Sequence, residues 1–350
     1  MLPTSIPSLD AAAALAARER IDQLTKPVGS LGRIEELAER LAAMHGGLPP
    51  LYDRRAIVVG AGDHGVTAEG VSAYPSEVTP QMVGAFLGEF AAINAFARVA
   101  RAEVFVANFG VASELPKHPR LLHRSVGRGT RNLAREAAMP VDHVAAALEA
   151  GAHAFADVEA RVQPEIIALG EMGIGNSTSA AALICAFTGA EADDVVGRGT
   201  GVDDDALRRK QQVVADAAKR VEELDWRSVV AEIGGYEIVG LAGVLLAAAS
   251  RRVPILLDGF IVSAAALVAQ QIAPEAIGYC VAAHRSRELG HAIALRHLGL
   301  VPLLDLDLRL GEASGAALAF PLCEAAARMV REMKTFAQAG VATAHAPIEA

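Results

Sequence analysis

The sequence predicts an α/β fold, a parallel sheet of about six strands flanked by helices. Three observations point to it. Short apolar runs recur along the chain, each ending near a polar or charged residue, with helical patterns between most of them. The runs are apolar throughout rather than alternating, as strands covered on both faces are. Hydrophobic residues make up 52% of the chain but aromatics only 4%, with 32 glycines, so small side chains dominate and helices can pack closely on a sheet.

The elements follow in order. Ser8 can cap a helix over Ala11–Leu24, which Pro27 stops. Lys26 to Arg33 forms a compact turn ending in a second cap, Ser30. Leu31, Ile34, Leu37, Leu41 and Met44 then recur at helical spacing until Gly46-Gly47. These helices precede any strand signal and are expected to form a separate small subdomain. The strand-like runs are Ala56–Val59 into Asp63-His64, Val104–Ala107 into Asn108, and Ile166–Leu169 into Gly170-Glu171. Ile255–Leu257 into Asp258, Tyr279–Ala282 into His284, and Leu303-Leu304 into Asp305 complete the set. Helical patterns cover Gln81–Ala100, Ala206–Leu224 and Val262–Gln271. Ligands of such sheets bind beyond the carboxyl ends of the strands, so Asp63, His64, Asn108, Glu171, Asp258 and His284 are expected at one rim.

Composition narrows the partners. A formal charge of −9 argues against nucleic-acid binding, which wants a basic face. Three scattered cysteines make neither a disulfide framework nor a zinc cluster, and indicate a reducing compartment. The start of the chain has no basic signal-peptide region. Ile238–Ala249 is too short to span a membrane, and Asp258 interrupts Val253–Ala269. The expectation is a soluble, cytoplasmic protein with no membrane partner.

Two loops carry the chemistry. In Pro164–Leu183 a buried strand meets Gly173, Gly175 and Asn176, then Ser177 and Thr178 at the start of a helix. That order presents free N–H groups and a positive dipole end to an anion, with the carboxylate of Glu171 at the lip. A tight strand-to-helix turn with no ligand is the alternative. In Val196–Lys210, Gly197, Gly199 and Gly201 alternate with Arg198 and Thr200, and Asp203 to Asp205 open a helix. Lys210 lies about two turns into that helix, either pointing back at an anion or solvated.

Neither loop has Walker A spacing or a clean G-x-G-x-x-G after a strand, so ATP, NAD and other cofactors are not indicated. Asp63, His64, His284 and His291 include metal-ligand types, but strand-end hydrogen bonding explains them better than a metal does. Glu312 precedes a small-residue helix. It serves either as a helix-start acid or, if enclosed by apolar groups, as a base with a raised pKa.

Ordered motifs now accumulate. They are Lys26-Pro27 with Gly29 to Arg33, Gly62-Asp63-His64-Gly65-Val66, Gly70 to Pro75, Val78-Thr79 and Gln81-Met82. Then come Gly170-Glu171-Met172-Gly173-Ile174-Gly175-Asn176, Gly197 to Gly201, Asp258-Gly259-Phe260, His284-Arg285-Ser286 with Gly290-His291, and Arg309-Leu310-Gly311-Glu312. From Lys26 to Leu322 the chain resembles the nicotinate-nucleotide–dimethylbenzimidazole phosphoribosyltransferases.

The resemblance implies a homodimer with a parallel Rossmann-like sheet of about six strands, a small helical domain of residues 1–50 and 325–350, and a catalytic domain of residues 51–324. It implies transfer of phosphoribose from nicotinate mononucleotide to 5,6-dimethylbenzimidazole. Glu312 would be the general base, Glu171 and Lys210 would lie near the ribosyl group, and Gln81 and Leu310 would border the base. Gly173, Gly175, Asn176, Ser177, Thr178, Gly199, Thr200, Gly201 and Asp258 would line the nucleotide site, with no metal. Family members commonly carry glycine where this chain has Ala313. Transfer to another aromatic base, a metal-dependent phosphohydrolase and a non-catalytic nucleotide-binding module are the competing readings.

Overall fold

The structure is a computed structural model describing Pro3, residues 5–199 and residues 201–342. The chain divides into two compact units, one of Met1–Pro7 with Arg54–Phe320 and one of Ser8–Asp53 with Pro321–Ala350.

In the first unit six strands form one sheet: β1 (Arg55–Gly62), β2 (Glu103–Gly110), β3 (Leu121–His123), β4 (Ile166–Met172), β5 (Ile255–Leu257) and β6 (Cys280–Ala282). All neighbouring pairs are parallel, in the order β3-β2-β1-β4-β5-β6. This is a doubly wound arrangement whose winding reverses between β1 and β4, the switch point at which such sheets form a ligand crevice. The register sets Gly60 beside Glu171 and Ala61 beside Met172, bringing the two chain segments that leave these strands to the same rim.

The sheet differs from expectation at its edge. Leu303-Leu304 forms only a bridge, between Leu304 and His284, while Leu121–His123 is the sixth strand. A three-residue strand between Arg120 and Arg124 has no periodicity to detect, and only its pairing with β2 makes it a strand. The run Gln81–Ala100 is two helices, Val78–Leu87 and Ala92–Ala100, separated where Glu89 takes a left-handed φ of 62°. Together Val78–Ala100 has the length and apolar content of a membrane span, by those criteria only.

Every residue of β1 is buried, and the Tyr236–Ser250 helix is buried along its length up to Ser250. Small residues permit its close approach to the Val141–Val162 helix. A β-carbon on Gly151 would lie 1.9 Å from the Gly240 carbonyl oxygen, and one on Gly243 would lie 2.1 Å from that of Leu148. Here the glycine content is a packing requirement.

In the second unit Asp10, not Ser8, caps the Ala11–Gln23 helix by accepting the N–H of Ala13 at 2.9 Å. The next helix starts at Arg33 rather than after Ser30, because Gly32 is its cap and Glu35 reaches back to the N–H of Leu31 at 2.9 Å. Glu35 is also buried against Lys26 at 2.8 Å. Burial pushes the Glu35 pKa up, but the Lys26 and Leu31 hydrogen bonds outweigh it, so the carboxyl sits below its ordinary value. That ion pair anchors the Pro27–Gly32 turn from beneath. Leu24 and Thr335 form an antiparallel bridge that ties the two segments of this unit together.

Candidate active site

The site is built at the β1/β4 crevice, from segments that follow the strands. After β4, Gly173 packs so closely that a β-carbon would lie 2.3 Å from the Gly62 carbonyl oxygen. Gly175 then takes φ 94° to start the Asn176–Thr188 helix. The N–H of Ile174 donates to Thr79 Oγ1 at 3.0 Å. Asn176 Nδ2 donates to Glu171 Oε2, tying the helix start to the lip carboxylate. Thr178 is fully buried and its hydroxyl has no hydrogen-bond partner. The loop is therefore a rigid helix N-terminus with polar groups to spare.

Lys210 is not solvated; it is 1% exposed. Its helix starts at Asp204, with Asp203 accepting the N–H of Ala206 at 2.8 Å, and the ammonium reaches back to Ser177 Oγ at 2.8 Å. It lies 3.4 Å from the Gly197 carbonyl oxygen, and a β-carbon on Gly199 would sit 3.3 Å from Nζ. The two glycine loops thus meet at one cation. Burial lowers the Lys210 pKa to about 8, while the Glu288 carboxylate pulls it back up. Gly201 takes φ 109°, and Thr200 lies outside the described residues.

Glu312 reaches the same rim from the far end of the chain. Gly311, Glu312 and Ala313 have φ values of 88°, 63° and 65°, three left-handed residues in succession, two of which carry side chains. Such backbone persists only where its surroundings over-determine it. Here β4 is the floor: a β-carbon on Gly170 would lie 2.1 Å from Ala313 N, and one on Gly311 would lie 2.3 Å from Glu171 Oε1. Gly170→Ala is therefore expected to cost about 2 kcal/mol or more in stability and to depress turnover with it. Calorimetry and turnover together check this; unchanged values in both would contradict the packing described.

Glu312 is 6% exposed. Burial first, and the Asp258 charge second, push its pKa up to about 7, against the backbone N–H of Ile93. Glu171 is pushed up to about 8 by burial, with Asp258, Glu237 and Glu312 adding to it and the Asn176 hydrogen bond opposing. Glu312 is therefore no helix-start acid. Asp258 Oδ1 caps the Ser314–Glu332 helix by accepting the N–H of Ala316 at 2.9 Å.

The remaining predicted residues are placed as follows. Gln81 is exposed on the Val78–Leu87 helix, two residues past Thr79, and Leu310 is 55% exposed beside Gly311. Asp63 accepts the N–H of Ala112 at 2.8 Å, and Asn108 accepts that of Val111 at 2.9 Å; both order loops at the rim. His64 Nε2 is 2.7 Å from Glu237 Oε1, His284 Nε2 is 3.4 Å from Asp258 Oδ1, and His291 Nδ1 accepts the N–H of Ser286 at 2.9 Å. Among the described residues no group of three or more His, Cys, Asp and Glu is arranged to hold a metal ion. A cleft of about 510 Å³ lined by Leu115, Lys117, His118, Pro119 and His123 contains none of the predicted site residues.

Two neighbours, Glu288 and Glu237, escape sequence reasoning, and Thr79 enters it only as part of a motif, without a role. Thr79 supports Ile174, Glu288 faces Lys210, and Glu237 is fully buried beside His64. Glu237 alone left a signal, as a lone acid heading the apolar run Ile238–Ala249.

Residues 6–341 match the family whose description is Phosphoribosyltransferase. The nicotinate-nucleotide–dimethylbenzimidazole phosphoribosyltransferase of Chloroflexus aggregans is 50% identical over 336 residues, 95% of each chain. That of Thermus thermophilus is 52% identical over 326 residues, 93% of this chain and 97% of its own. A crystal structure of the enzyme from Thermus thermophilus superposes with a TM-score of 0.92 at 49% identity, covering 96% of this chain and all of that one. With the crevice, the paired glycine loops and the carboxylates in hand, these matches decide the family: the chain belongs to the nicotinate-nucleotide–dimethylbenzimidazole phosphoribosyltransferases.

Proposed function

We propose that the protein transfers phosphoribose from nicotinate mononucleotide to 5,6-dimethylbenzimidazole in one inverting displacement, releasing nicotinate and α-ribazole 5′-phosphate. One observation carries the assignment of parts. Crowded carboxylates with raised pKa values adjoin two glycine loops that converge on a buried ammonium. The donor has matching halves, a cationic pyridinium-ribosyl bond and an anionic phosphate. A cationic ribosyl group would favour the ionised forms of Glu171 and Glu312. The loop N–H groups, Ser177 and Lys210 suit the phosphate.

Nicotinate departs as a ring nitrogen that has regained its lone pair, so no strong acid is required. Positive charge grows on the ribosyl carbon, where Glu171 stabilises it. The acceptor attacks through one ring nitrogen while its other N–H becomes acidic, and Glu312 takes that proton. Gln81 and Leu310 border the flat base, bound mainly through apolar burial and held against the ribosyl carbon. The proposal needs no cofactor or metal. It includes a homodimer, a small helical domain of 1–50 with 325–350 and a catalytic domain of 51–324, carried by the resemblance, and a cytoplasmic location, carried by the scattered cysteines.

The test is nicotinate release from nicotinate mononucleotide with dimethylbenzimidazole present, with chromatography of the product. Because the base must be ionised, kcat/KM is expected to rise with pH through about 7 and then level. Binding of the nucleotide without nicotinate release would leave only a binding module. Loss of activity with EDTA, restored by a divalent ion, would favour the hydrolase.

A further inference from the structure

Asp258 is among the most enclosed groups of the rim, 1% exposed at the end of β5. Its Oδ1 is already engaged twice, accepting the Ala316 N–H at 2.9 Å and facing His284 Nε2 at 3.4 Å. The second contact is an ion-pair distance rather than a well-formed hydrogen bond. His284 is wedged against the same helix start, since a β-carbon on Gly315 would lie 2.0 Å from its Cδ2. The left-handed turn holding Glu312 runs straight into this helix. Cap, wedge and turn form one assembly.

From this geometry we infer that Asp258 is a positioning residue: with His284 it anchors the turn that carries Glu312, and it supplies the negative charge that Glu312 faces. This rests on the reading of Glu312 as the base, and removes Asp258 from the substrate contacts. The groups around Glu312 are identified. Asp258 comes from the end of β5, Glu171 from β4, and the Ile93 N–H from the first turn of the Ala92–Ala100 helix. Glu237 reinforces Glu171 from the Tyr236–Ser250 helix.

His284 stands behind Asp258. Burial lowers its pKa, but Asp258 and the Arg285 backbone outweigh that, so His284 ends above its ordinary value. His291, with ring centroids 6.1 Å away, is held down to about 3 by burial and by His284. It is thus a neutral neighbour at working pH. Asp258 raises the proton affinity of Glu312 directly, whereas His284 acts only through Asp258, whose carboxylate it faces at 3.4 Å.

The test uses the full-length Asp258→Asn and His284→Gln variants beside Glu312→Gln. Asparagine keeps an oxygen for the Ala316 N–H and removes only the charge. In Asp258→Asn the rising limb of kcat/KM against pH is expected to move down by roughly one pH unit. In His284→Gln, where Asp258 loses the imidazole it faces, the limb is expected to move up. KM for both substrates should stay within about threefold in each variant.

A limb that stays put in both variants, or moves the same way in both, overturns the inference. So does a KM for nicotinate mononucleotide raised about tenfold or more in Asp258→Asn with an unmoved limb, which would make Asp258 a substrate ligand. If Asp258→Asn does not fold, the direction of the His284→Gln limb decides alone. Near-normal turnover in Glu312→Gln overturns the base assignment itself, a result separate from any of these.

Discussion

Glu312→Gln is expected to fold as the parent does and to lose turnover by about two to four orders of magnitude. Glutamine has nearly the same shape and tolerates the same rotamers, so the left-handed turn over Gly170 has no steric reason to change. What disappears is the only group at that position able to accept a proton. Burial and the Asp258 charge hold the Glu312 pKa up to about 7, close to working pH, where a base combines availability with driving force. The loss should fall on kcat, with KM for nicotinate mononucleotide within about threefold, because proton transfer belongs to the transition state.

The variant should also be no less stable, since it removes a carboxyl whose ionisation the fold opposes. The sign follows from the raised pKa. Above the ordinary carboxyl range the unfolded chain is ionised while the native group resists, so the native state is penalised as pH rises through about 7. The substitution lifts that penalty. Steady-state kinetics and thermal melts check both parts, and retention of near-normal kcat would exclude Glu312 as the base.

Lys210→Met is expected to lower kcat/KM for nicotinate mononucleotide by about 10²–10³, mostly through KM, while raising the melting temperature. Methionine fills the channel that Lys210 occupies at 1% exposure but cannot donate to Ser177 or to an anion. The protein holds this ammonium at a cost. Its pKa falls to about 8 from 10.5, so below pH 8 the folded state carries the full penalty of a buried charge, and this declines as pH rises toward 10.5. The stability gained by Lys210→Met should therefore be largest below pH 8 and vanish above about 10.5. A phosphate bound by the parent would repay the same cost, since an anion restores the pairing that burial removed. Unchanged kcat/KM with a raised melting temperature would show a buried lysine without a ligand role.

The elements legible in the sequence were those with local causes. The apolar runs of β1, β2 and β4 are continuous because helices cover both faces, so their composition alone marks them. The loop at Gly173–Thr178 was visible because glycine and hydroxyl residues must sit where backbone N–H groups are bare. Glu171, Lys210 and Glu312 are candidates on residue type, neighbouring glycines and the family resemblance.

Tertiary structure decided what those candidates are. Whether Lys210 is solvated or buried depends on the Gly197 loop and on Ser177 at the start of another helix, which its own helix does not encode. Whether Glu312 caps a helix or stands in an enclosed turn depends on Asp258, 54 residues earlier, taking the cap, and on Gly170 leaving room beneath Ala313. Strand Leu121–His123 exists only through its pairing with β2, and Glu237 gains its place only because a buried helix starts beneath the β1 rim. Local sequence determines propensity and donor or acceptor type. Burial, charge neighbours and the pKa values they set are properties of chain segments far apart in sequence, and exist only once the sheet has brought those segments to one rim.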